Sequence, residues 1–155
     1  MAQYGITWTC GHETTVNITG TNAHGERERK AESLARLACP ACRKDAEAAD
    51  RTSANTEAAA ANEAAGLPAL DGTPKQAAWA EAIRAGALAE ICQTVLAVPG
   101  GKRHAEEITA VYARAAARER RASAWIDGRA DARQVIAPCV TAEDEAELAR
   151  IAESW

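Results

Sequence analysis

Two short turns near the start of this chain, Cys10-Gly11-His12 and Cys39-Pro40-Ala41-Cys42, offer three thiols and an imidazole. A Cys-x-x-Cys turn fixes two sulfurs at the separation a tetrahedral ion requires, and closed zinc sites take four S or N ligands. The spacing therefore predicts one structural Zn2+ held by Cys10, His12, Cys39 and Cys42. The first half is one residue shorter than the usual knuckle, but the longer imidazole arm covers the missing reach. His24 is the rival fourth ligand. A catalytic zinc would need an open position, and four protein ligands leave none for water beside Glu13.

Composition limits what surrounds such a site. Of 155 residues 40 are Ala, whereas Leu, Ile and Val together number 21 and Phe is absent, so any core must be thin. Ala is the strongest helix former, and a net charge of only −4 does not force the chain open. The expected class is mostly α with a small N-terminal β-hairpin. No basic stretch followed by an apolar run opens the sequence, and no run of about 18 apolar residues occurs. With five cysteines, an odd number, a metal-held set of reduced thiols is favoured over a disulfide framework. These features predict a cytoplasmic protein without membrane contact.

Tyr4 to Thr9 and Thr14 to Thr19 alternate apolar and polar residues, which predicts two strands with the Cys10-Gly11-His12 turn at their tip. Ala31, Leu34, Ala35, Leu37 and Ala38 then recur at helical spacing. Pro40 ends that helix and opens the next. A hairpin knuckle paired with a knuckle at a helix N-terminus is the treble-clef or zinc-ribbon arrangement. Residues 1–43 are read as this module. Residues 44–72 are read as an Ala-rich helical spacer closed by the Gly66 to Gly72 break. Residues 73–155 are read as a small helical bundle.

That third region starts with Thr73-Pro74-Lys75-Gln76, a capping box with Pro at the first helical position. The helix should reach about Val98, with Trp79, Ile83, Ala87, Ile91 and Val95 facing the core beside Leu88, Cys92 and Leu96. A second helix from about Arg103 should carry Ile108, Val111, Tyr112, Ala115, Ala122, Trp125 and Ile126 inward and most of its arginines outward. A short helix should follow over Asp131 to Ala137, and Thr141 with Asp144 should cap a last one to about Ser154. Cys92 and Cys139 read as small apolar residues, and His104 as a solvated first-turn residue.

The Trp8-x-Cys10-Gly11-His12 start, Arg27-Glu28-Arg29-Lys30, Cys39-Pro40-x-Cys42, Gly72-x-Pro74-Lys75-Gln76-x-x-Trp79-Ala80-Glu81-x-Ile83-Arg84 and Trp125-Ile126-Asp127 form a set. This set resembles a group of small bacterial and phage proteins. The resemblance implies an N-terminal zinc ribbon joined to a helical domain, often in mobile-element contexts, and implies no activity.

No Gly-rich phosphate loop, Ser-His-Asp set or helical His-Glu-x-x-His is present, which argues against an enzyme. Three functions remain as expectations. The first is a non-enzymatic zinc-binding adaptor acting through a protein partner. The second is a nucleic-acid-binding accessory protein using Arg27, Arg29 and Lys30 of the zinc module with the arginine face at Arg114, Arg118 and Arg121. The third is a phage or plasmid inhibitor of a host defence complex, its acidic C-terminal helix standing in for nucleic-acid charge. Oligomeric state does not follow from the sequence.

Overall fold

The computed structural model describes residues 2–155, so Met1, the first residue of the expected module, lies outside them. Strands β1 (Ala2–Thr7) and β2 (Glu13–Ile18) pair antiparallel, Tyr4 opposite Val16 and Ile6 opposite Thr14. The helices are α1 (Glu26–Ala35), α2 (Pro40–Ala64), α3 (Pro74–Leu96), α4 (Ala105–Ala116), α5 (Ala122–Asp127), α6 (Arg133–Ile136) and α7 (Ala142–Glu153). Single 3-10 turns precede α4 and follow α6. The class is thus mostly α behind a small hairpin. None of the described helices is long and apolar enough to cross a membrane.

The chain divides into two compact units, residues 1–51 and 52–155, and the division falls within α2. In the first unit Ile6, Trp8 and Cys39 are buried against Tyr4, Val16, Leu34, Ala35 and Cys42. Strand alternation turns Ile6 and Trp8 inward on one face, and α1 covers them. Gly25, at a positive φ of 73°, begins α1, and Tyr4 Oη donates to Glu28 in its first turn at 2.8 Å.

In the second unit the core is built from alanines around one large ring. Ala80, Ala115, Ala116 and Ala122 are fully buried with Trp125, whose indole N–H donates to the Glu119 carbonyl at 3.1 Å. Small side chains let α3 approach α4 and α5 closely, which compensates for the shortage of large aliphatics. Leu67 and Leu70 join this core. The 66–72 break and the last turns of α2 therefore belong with the helical unit.

Both expected capping boxes are present, Thr73 with Gln76 and Thr141 with Asp144. Other details differ from expectation. Trp79 points outward and is 45% exposed, with the Arg129 guanidinium 5.9 Å from its ring. The face of α3 turned inward is instead Ala80, Glu81, Arg84, Ala87, Leu88 and Ile91. His104 is buried, not solvated, because the Trp155 ring lies 5.6 Å from it while the indole N–H donates to the Pro99 carbonyl. The long second helix is broken over 117–121. There the Asp71 amide donates to the Arg120 carbonyl at 2.6 Å, and the Ala122 amide donates to the Asp71 carbonyl at 2.9 Å. This bridge extends the chain where residue propensities alone would have kept it helical.

Candidate metal centre

Hairpin geometry places the first two ligands. The Trp8 amide donates to the His12 carbonyl and the Gly11 amide to the Trp8 carbonyl, both at 2.9 Å, closing a turn that puts Gly11 at φ 79°. A side chain there would be strained, so Gly fits the knuckle. The Thr9 amide donates to the Leu37 carbonyl at 3.1 Å, tying the tip to the stretch that leads into α2.

The second pair comes from the start of α2. The Cys39 carbonyl accepts the first helical bond from Arg43 at 2.9 Å, and Pro40 takes the first helical position, where no N–H is needed. Cys39 Sγ accepts from the Cys42 amide at 3.3 Å, doing for the helix what a serine or aspartate oxygen does at other N-termini. Cys10 Sγ in turn accepts from the Cys39 amide at 3.3 Å.

The four ligand atoms of Cys10, His12, Cys39 and Cys42 lie within 4.8 Å of one another. His12 Nδ1 stands 3.5 Å from Cys10 Sγ, 3.5 Å from Cys39 Sγ and 3.2 Å from Cys42 Sγ. Tetrahedral Zn–S and Zn–N bonds would separate such atoms by roughly 3.5–3.8 Å, so the set fits the ion with small adjustments. Among the described residues no other cluster of this kind forms, and His24 is not part of it.

Proton affinities in the cluster reflect crowded charge. The Cys39 amide, aided by His12, lowers the Cys10 thiol to about 6. The Cys42 amide lowers Cys39, while the Cys10 and Cys39 sulfurs raise His12. The Cys42 thiol, hydrogen-bonded to the Cys39 sulfur and facing Cys10, is pushed up to about 11. A third thiolate is unfavourable beside two others unless a cation stands among them. A dication would supply that, displacing the protons as it binds.

The other candidate residues are engaged differently. Arg27 donates to the Gly20 carbonyl and Arg29 to the His24 carbonyl, so both brace the loop before α1, and Lys30 is exposed. Arg114 pairs with Glu147 and Asp144, and Arg118 donates to Asp144 at 2.6 Å and to the Cys139 carbonyl at 2.9 Å. Arg121 grips Glu119 at 2.7 Å. The acidic last helix thus meets two of the arginines of this same chain.

A group that periodicity missed lies in the second unit. Asn62, Glu81 and Arg84 are all buried and hydrogen-bonded together. The i,i+3 spacing of Glu81 and Arg84 was the available signal. Compared with known proteins, the chain matches no family model, no curated relative and no solved structure.

Proposed function

We propose that this chain is a non-enzymatic, zinc-stapled adaptor that works through a protein partner. The observation that carries the reading is the closed Cys10, His12, Cys39 and Cys42 set, whose four ligands leave no position for substrate or water. In a unit with so few buried apolar residues the ion acts as structural cement. The partner half of the reading draws on Trp79, a large ring left 45% exposed while Trp125 of the same unit is fully buried. The phosphate-binding alternative draws less support, because Arg114, Arg118 and Arg121 are each engaged by a carboxylate of the chain itself.

Metal content by plasma mass spectrometry tests the first half. One zinc per wild-type chain is expected, with loss in Cys42→Ser and in His12→Ala; a zinc-free wild type rejects the reading. Affinity capture tests the second. A protein retained by the wild type and released from Trp79→Ala supports the adaptor, whereas recovery of nucleic acid, weakened steeply by salt, would favour the alternative.

A further inference from the structure

One edge of strand β1 has no strand beside it among the described residues. The Trp8 amide donates to the His12 carbonyl at the turn, so antiparallel alternation directs the amides and carbonyls of Ile6 and Tyr4 towards β2. Those of Gln3, Gly5 and Thr7 therefore point the other way, and all three residues are exposed. Thr9 follows the same alternation, and its outward amide meets the Leu37 carbonyl at 3.1 Å. Leu37 thus closes the edge beyond Thr7 and leaves it open from Gln3 to Thr7.

The sequence of this edge does nothing to protect it. Exposed edges are ordinarily blunted by charge, Pro or a bulge, because unpaired main-chain groups invite another strand. Strand β1 carries no charge and no Pro, and its register with β2 runs unbroken from Ala2 to Thr7, whereas β2 bears Glu13 at its turn end. The open stretch is also symmetric about Gly5. Turned antiparallel about that residue, a second β1 sets Gln3 against Thr7 and Gly5 against itself, with no like charges opposed. Each such pair exchanges two N–H···O bonds, so three pairs make about six. At the axis a side chain would face its own copy, and Gly5 has none.

We infer that β1 is a self-association edge: a second copy of this chain adds its own β1 antiparallel, joining two hairpins into a four-stranded sheet with the two-fold axis at Gly5. Such an interface is isologous, each copy offering the same surface. Main-chain bonds rather than buried apolar area carry it, so the pairing is weak, with Kd on the order of 0.1 mM. The edge lies within residues 2–51 and does not use Trp79, so it stands apart from the protein-partner reading.

Sedimentation equilibrium of the whole chain from about 10 µM to about 1 mM tests this, with a reductant present to exclude disulfide-linked dimers. Wild type should pass from monomer to dimer across that range. Gly5→Lys opposes two cations at the axis and should weaken the dimer roughly tenfold or more. A methyl at Gly5 meets nothing within 4 Å, so the hairpin itself has room for the change. Gly5→Glu should act alike, and an equal mixture of the two variants should associate at least as tightly as wild type, which misfolded chains would not do. Thr15→Lys, opposite Gly5 on β2 and off the axis, should dimerise like wild type. Should Gly5→Lys not fold, amide–solvent exchange in the wild type decides: it should slow with concentration at Gln3, Gly5 and Thr7 and stay constant at Thr15. A chain monomeric throughout, a dimer untouched by Gly5→Lys, one lost equally in Thr15→Lys, or exchange at Gly5 indifferent to concentration would overturn the inference.

Discussion

Residues 1–51 and 52–155 solve the same shortage of large apolar side chains in opposite ways. The first unit buries Ile6, Trp8 and Ile18 with Cys39, itself one of the four clustered Cys and His side chains, so in the zinc-stapled reading its coherence rests on one coordination sphere. The second closes its helices around Trp125 with fully buried alanines, and adds hydrogen-bonded ion pairs in which Arg84, Glu81 and Asp144 are buried. A point-like staple and a distributed core respond differently to damage. Losing one ligand undoes the first at once, whereas the second weakens by increments.

Metal removal should give the largest contrast. Structural zinc contributes about 10 kcal/mol or more to small modules, far beyond what the Ile6 and Trp8 cluster supplies. A chelator, or Cys39→Ser, should therefore collapse the amide spectrum of residues 2–51 while that of the helical unit persists. Next comes Trp125→Ala. Deleting a fully buried indole costs about 3–5 kcal/mol, which should unfold or nearly unfold the second unit while metal stoichiometry stays unchanged.

Asp144 sharpens the contrast at smaller scale. Arg118 and the Thr141 amide hold its carboxyl well below the usual carboxylate range. Its stabilisation is then complete above the unfolded value of about 3.9 and is lost as pH falls from there towards the folded one. The urea midpoint of the helical unit should drop between pH 5 and pH 3, and Asp144→Asn should flatten that drop. At pH 7 Asp144→Ala should cost about 2 kcal/mol, from a lost cap and a lost charged bond. Thr73→Ala should be mildest, about 1 kcal/mol from the cap of α3, with no effect on metal content.

Much of this was legible in the sequence where chemistry fixes spacing. Cys39 and Cys42 announce a knuckle because few other demands put two thiols three positions apart, and Thr73-Pro74 with Gln76 announces a helix start because its hydrogen bonds are local. The inward face of α3 was harder to read. In a helix rich in alanine every face can pack, so Trp79 drew the assignment although Ala80 and Ala87 are the residues that fit against neighbours. Glu81 and Arg84 are polar by type and buried by pairing, which hydropathy cannot register. His104 is covered by Trp155, a contact across 51 positions that no window of the sequence contains.

The bridge between Asp71 and Arg121 sets an order of events during folding. It joins positions about fifty residues apart, so it forms only after the intervening helices have been brought together, against the entropy of closing a long loop. Gly72 makes it possible, since a methyl there would stand 2.9 Å from the Ala122 methyl. The hairpin, by contrast, closes over a five-residue turn. The Cys10, His12, Cys39 and Cys42 cluster then closes over about thirty positions, fewer than the bridge spans, and Gly72→Ala, which would loosen that bridge, is expected to act chiefly by speeding unfolding of the helical unit.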